Sequence, residues 1–140
     1  MPRIFITGST AGLGQLAAKS LIQQGHEVVL HARNKKRAED TMDNVPNAEG
    51  VATGDLSNIE ETKKLAKDVN DLGRFDAVIH NAGVYRTDQQ TIMTVNTLAP
   101  YILTCLIQKP KRLIYLSSGM HKHGNPSLRQ NKIGKRGPLL

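Results

Sequence analysis

The sequence is poor in cysteine, in acidic residues toward its end and in long apolar runs, and each shortage closes off a class of protein. Cys105 is the one cysteine in 140 residues, so no internal disulfide can form. Its place in the apolar run "YILTCLI" predicts a buried packing thiol. No stretch reaches the ~20 consecutive apolar residues needed to cross a bilayer. The opening apolar run is cut at Gly8 and has no basic leader, so no secretory signal is read. Together these absences predict a soluble, cytoplasmic protein without a membrane span. Acidic residues stop at Asp88: up to that point 11 Lys and Arg face 12 Asp and Glu, and beyond it 8 basic residues face none. The formal net charge of +7 therefore belongs to the C-terminal third. A basic segment attracts phosphate backbones or anionic membranes. No aromatic residue interleaves with these charges after Tyr115, which disfavours nucleic-acid binding against a solvated basic segment.

What remains is the composition of one globular domain, 39% hydrophobic and 22% charged, long enough to bury a core. Apolar β-rich runs alternate with helix-period segments. "RIFIT" (3–7), "EVVLHA" (27–32), "GVATG" (50–54), "FDAVIH" (75–80) and "RLIYLS" (112–117) read as five strands. Their continuous apolarity predicts burial on both faces. Helices are predicted over Gly14–Gln24, Lys35–Met42, Ile59–Val69 and roughly Thr91–Ile107. The first should bury Leu16, Ala17, Leu21 and Ile22, and Asp55 or Ser57 should cap the third, with Glu60 and Glu61 in its first turn. Strand and helix in alternation give an α/β, doubly wound parallel sheet of about five strands with right-handed crossovers. From Gly119 the pattern dissolves into glycine, proline and basic residues, with only a weak helical stretch in "SLRQNKI". The expected division is a partial domain over 1–119 and a basic, disordered tail over 120–140. The sheet should then be incomplete on its C-terminal side.

Chemistry concentrates where strands end. "ITGSTAGLGQ" sets Thr7, Gly8, Ser9, Gly12, Leu13 and Gly14 between the first strand and the first helix. Glycines there let the backbone turn sharply and approach a pyrophosphate, while the helix N-terminus offers free N–H groups and partial positive charge. The alternative is a tight turn with packing glycines, but the strand-to-helix context favours the phosphate reading.

At this point the sequence resembles the short-chain dehydrogenase/reductase family, whose Thr-Gly-x-x-x-Gly-x-Gly fingerprint it reproduces. "GDLS", "HNAG", "VNTLAPYILT" and "LIYLSSG" follow in the family's order across residues 3–119. The resemblance implies a Rossmann fold and hydride transfer between a nicotinamide cofactor and a small alcohol or carbonyl substrate. It implies that Asp55 contacts the adenine ring with Leu56 beside it. Asn81, Ala82 and Gly83 would line the cofactor cleft, and Asn96 and Ser118 would be catalytic. Taken singly, Asp55 also reads as a helix cap, Asn81 as a turn residue, Asn96 as a polar helix residue, and Ser117 with Ser118 as the turn that ends a strand.

The end of the second strand, "VVLHARNKKR", carries no carboxylate for the ribose hydroxyls. Arg33, with Lys36 or Arg37 nearby, suits a 2′-phosphate, so NADP(H) is favoured over NAD(H). The other reading of this cluster is the exposed start of a helix.

The family pattern then breaks. The resemblance calls for a Tyr-x-x-x-Lys pair after the Ser strand, the Tyr passing a proton and the Lys lowering its pKa. None of Tyr85, Tyr101 and Tyr115 has a Lys four residues later. "NKIGK" offers Asn131 and Lys135 at a similar offset, but Asn is no proton donor, and Gly134 with Gly137-Pro138 opposes a helix. "SSGMHKHG" resembles the retinol-dehydrogenase-like branch, in which the pair follows a longer insertion. The expectation is an N-terminal, cofactor-binding portion of such an enzyme, cut after about Leu128 by truncation, alternative transcript or frame change, and inactive alone. The alternatives are a non-catalytic dinucleotide- or partner-binding module and a fragment without separate function. His121 and His123 lack further ligands, so no metal site is read. Substrate and oligomeric state are not legible.

Overall fold

The computed structural model describes residues 2–116. β1 (Arg3–Ile6), β2 (Glu27–Ala32), β3 (Gly50–Thr53), β4 (Ala77–His80) and β5 (Arg112–Tyr115) form one parallel sheet in the order β3-β2-β1-β4-β5. Between them run α1 (Gly12–Gln23), α2 (Lys35–Asn44), α3 (Ile59–Asp71) and a composite helix. The composite consists of α4 (Gln89–Met93), a π turn (Thr94–Leu98) and α5 (Ala99–Leu106). The strand order reverses between β1 and β4, which opens a crevice beyond their C-terminal ends.

The apolar runs are continuous because each central strand feeds two cores. Side chains alternate across a strand, so Ile4, Ile6, Val28 and Leu30 pack with Ala18 and Val45 on the α1/α2 side. Phe5, Val29 and Val78 pack with Leu65, Val69, Val95 and Leu103 on the other. At the far edge of the sheet from the crevice, Arg3 pairs with Glu49, lies 4.6 Å from the Phe75 ring centroid and donates its backbone N–H to Asp76.

Burial on both faces holds for β1 and β2 but not for β5, whose residues are all exposed. β5 is last in the row, with β4 as its sole neighbour among the described residues. The stripe expected on α1 is also out of phase. Leu16 and Ala17 are exposed, whereas Gly14 and Ala18 are buried, with Leu21 and Ile22 packed behind them. Small residues four apart let this helix sit close to the sheet. Cys105 is exposed, contrary to expectation. α5 turns Ala99 and Leu103 inward at a spacing of four, which carries Cys105 round to the opposite side.

The single helix expected over Thr91–Ile107 is interrupted for a covalent reason. Pro100 has no N–H to give the carbonyl of Asn96 four residues earlier, and the helix widens to a π turn at that point. The third helix is capped by Asn58, not by Asp55 or Ser57. Asn58 has extended backbone directly ahead of α3, and its side-chain oxygen accepts the Glu61 N–H at 3.0 Å. The Asp55 carboxylate is already held by the N–H and hydroxyl of Ser57.

No helix among the described residues is long and apolar enough to cross a membrane. Ser117, Ser118, the histidines of the following loop, "NKIGK" and the boundary expected near 119 lie outside the described residues.

Candidate functional site

The crevice is built on hydrogen bonds between the ends of β1 and β4. Thr7, 2% exposed, turns its hydroxyl oxygen to accept the N–H groups of Asn81 at 3.0 Å and Ala82 at 3.1 Å. Asn81 returns the contact, its side-chain amide donating to the Gly8 carbonyl at 3.0 Å. Gly8 has φ +65° and passes so close to β4 that a Cβ there would stand 2.7 Å from Ala82 Cα. At Gly14 a Cβ would lie against the Gly8 carbonyl oxygen and 2.5 Å from Asn81 Nδ2. Both glycines are therefore fixed by close approach, at Gly8 with a left-handed backbone as well.

Two side chains buried behind this loop hold it in place. Ser9 donates its hydroxyl to the Ile6 carbonyl and accepts the His31 backbone N–H at 2.8 Å. His31 receives the Gly8 N–H on Nδ1 at 3.0 Å, and its Nε2 lies 2.8 Å from the Gly54 carbonyl oxygen. Burial pushes the His31 pKa below the ordinary histidine value, against smaller opposing effects of the Gly54 carbonyl and Asp55.

Helix capping shows a contrast. Asn34, Asn58 and Asp88 each accept an N–H in the first turn of α2, α3 and α4. α1 starts after Ala11, with no side-chain cap and no acidic residue in its first turn. Its leading N–H groups therefore point from a helix N-terminus that no side chain caps among the described residues, a ready environment for an anion. Gly12, at φ +59°, begins this helix, and Leu13 beside it is 76% exposed.

Of the residues expected at a cofactor site, Gly8, Arg33, Asp55 and Leu56 line one open cleft of about 350 Å³, as do Asn81, Ala82 and Gly83. Thr7, Ser9 and Gly14 lie beneath it as supports. Asn96 is not in the wall; its side chain clamps the backbone of Val84, accepting the N–H at 2.8 Å and donating to the carbonyl at 2.7 Å. That clamp steadies the loop which carries Gly83 and Val84 into the cleft. His31, Ser57, Val84, Thr10, Thr91 and Val95 also line the cleft, and none of them is expected there from the sequence. For His31 the signal available is a polar residue within an apolar strand, two positions before Arg33.

One strand further, His80 ends β4 and stacks on Tyr115, with ring centroids 4.7 Å apart and planes 10° from parallel. Neither of its ring nitrogens has a hydrogen-bond partner among the described residues, and burial lowers its pKa to about 4. Among the described residues no group of His, Cys, Asp and Glu is placed to hold a metal ion.

The sequence profile of the short chain dehydrogenases matches residues 2–110. An uncharacterized oxidoreductase of Emericella nidulans is 56% identical over 92% of this chain and 55% of its own length. The short-chain dehydrogenase chyC of Penicillium rubens is 46% identical over 92% of this chain and 53% of its own. The chain thus spans about half the length of the curated relatives it matches. Among solved structures, a short chain dehydrogenase from Salmonella enterica serovar Typhi superposes with a TM-score of 0.71 at 26% identity, over 89% of this chain and 60% of that one. A short-chain dehydrogenase from Sphingobium yanoikuyae in complex with NADPH gives 0.64 at 25% identity, over 76% and 47%.

Proposed function

The chain belongs to the short-chain dehydrogenase family, and on that premise we propose that it forms the dinucleotide-binding part of a nicotinamide-dependent oxidoreductase acting on a small alcohol or carbonyl compound. The observation that carries this reading is the uncapped N-terminus of α1 at the point where the strand order reverses, with no side chain at Gly8 or Gly14 to fill the approach. The first-turn N–H groups from Gly12 to Gly14 would hold the pyrophosphate. Asp55 and Leu56 would flank the adenine, and Asn81, Ala82 and Gly83 would form the opposite wall. Arg33, exposed at the end of β2 with no carboxylate beside it in the strand, would pair with a 2′-phosphate. NADP(H) is accordingly the preferred cofactor, a reading supported by the NADPH complex among the structural relatives.

A nicotinamide cofactor held by these residues would supply or accept the hydride. The remaining work is proton transfer and orientation, and here the sequence is short of a donor. No tyrosine in the 140 residues has a lysine four positions later. Ser118 would position a carbonyl and Asn96 would hold the loop at Val84, but neither replaces a general acid. Such an acid contributes roughly 10²–10⁴ in rate. The chain alone is therefore proposed to bind the cofactor without turning over substrate.

The test follows the absorbance of reduced nicotinamide with a panel of ketones, aldehydes and retinoids. The expected result is no turnover above background. Turnover that survives Ser118→Ala and is lost in Asn131→Ala would replace this reading with one in which "NKIGK" completes the site.

A further inference from the structure

Three segments distant in sequence meet on one buried imidazole. Gly8 in the glycine turn donates its N–H to His31 Nδ1, and His31 Nε2 faces the carbonyl of Gly54 on the other side. A fixed N–H donor against one ring nitrogen and a fixed carbonyl acceptor against the other admit one ring state, neutral with the proton on Nε2. The His31 backbone N–H meanwhile bonds Ser9 in the same turn. Both backbone polar groups of Gly8 are thereby held by side chains, the N–H by His31 from β2 and the carbonyl by Asn81 from β4. Gly54 directly precedes Asp55 and Leu56, so the imidazole spans from the phosphate side of the cleft to its adenine side and is itself part of the lining.

We propose that His31 is a positioning residue for the dinucleotide, its neutral imidazole setting the separation between the glycine turn and the Asp55–Leu56 wall. The role rests on the cofactor reading above and extends it, since nothing in that reading requires a histidine here. An apolar residue would suit the strand equally well, as Val28, Val29 and Leu30 do in the preceding positions. It would leave the Gly8 N–H and the Gly54 carbonyl without partners, and the two walls would be joined only through the sheet. The charged neighbours among the described residues are Asp55 on the β3 side and Arg33 just beyond the end of β2. The glycine turn from Thr7 to Gly14 contributes no titratable side chain.

Two variants and one spectrum test this. His31→Gln keeps an acceptor and a donor on adjacent atoms of a group that does not titrate, and His31→Leu removes both at similar volume. The probe is ADP-ribose, which engages the adenine and pyrophosphate positions and carries no 2′-phosphate. Affinity is read by calorimetry, with a thermal melt of each protein to establish that it is folded. His31→Leu is expected to weaken ADP-ribose about tenfold or more, as for unpaired polar groups in a wall, with His31→Gln within about threefold of the parent. Nitrogen NMR of the parent at neutral pH should show the Nε2–H tautomer at His31, which keeps the proposal testable if the leucine variant does not fold. An Nδ1–H or doubly protonated ring would overturn the proposal, as would folded His31→Leu binding like the parent or folded His31→Gln binding as poorly as His31→Leu. Failure of the folded parent to bind ADP-ribose would overturn the cofactor reading itself. Parental binding indifferent to both variants would overturn the role of His31 alone.

Discussion

The side-chain amide of Asn81 donates to the carbonyl of Gly8 at 3.0 Å and ties the end of β4 to the turn that leaves β1. Gly14 lies under this contact: a Cβ there would press on the Gly8 carbonyl and stand 2.5 Å from the Asn81 nitrogen. Gly14→Val should separate the two loops and abolish dinucleotide binding, with an overpacking cost of about 1–3 kcal/mol. Fluorescence titration with NADPH, beside a urea melt, checks both effects. Parental affinity in a folded Gly14→Val protein would show that the loops need not touch.

Thr7 supports the same junction from below. Its hydroxyl accepts two backbone N–H groups, those of Asn81 and Ala82. Thr7→Val keeps the shape and leaves both donors unpaired, at about 1–3 kcal/mol for each buried group. Chemical denaturation should show a loss of about 2 kcal/mol or more, whereas Thr7→Ser should lose much less. Equal stability of the valine and serine variants would count against the role of the hydroxyl.

Much of this arrangement was legible in the sequence, and the part that was not has a physical explanation. The apolar runs located the strands because central strands bury both faces, and the glycine spacing located the turn because close backbone approach excludes side chains. Exposure of β5 depends on what stands beside it, which periodicity within "RLIYLS" does not encode. The phase of α1 is not legible in its apolar pattern because Gly14 and Ala18 make the close contact and are not hydrophobic markers. Asn58 prevailed over Asp55 and Ser57 as the α3 cap because those two bond each other. The bridge made by His31 joins residues 8, 31 and 54, and no local pattern reports a contact of that range.

Stability should fall in mild acid, and His80 supplies the sign. Its folded pKa of about 4 lies below the ordinary value of 6.5, so the unfolded chain takes up the proton first as pH falls. The stabilisation is complete above about pH 6.5 and is lost progressively as pH falls toward 4. His31, also held low by burial, acts in the same direction. His80→Phe preserves a ring against Tyr115 without a titrating group and should flatten the profile. Urea melts at pH 7.5 and 5 measure the difference; an unchanged slope in His80→Phe would assign the acid sensitivity elsewhere.

The proposed preference for NADP(H) rests on Arg33. A charge-assisted contact to a 2′-phosphate is worth about 1.5–3 kcal/mol, so the parent should prefer NADPH to NADH by about tenfold or more. Arg33→Asp should cancel or reverse that preference with little change in stability, since the side chain is exposed. Equal affinities in the parent, unchanged in the variant, would remove Arg33 from the account.

Binding of a nicotinamide dinucleotide by the residues that converge on the crevice between β1 and β4 is measured by calorimetry on the folded 140-residue chain. Titration with NADPH and with NADH should give saturable binding at one site per chain, tighter for NADPH and absent in Gly14→Val. No heat with either dinucleotide, on protein shown by its cooperative melt to be folded, would contradict dinucleotide binding in this crevice.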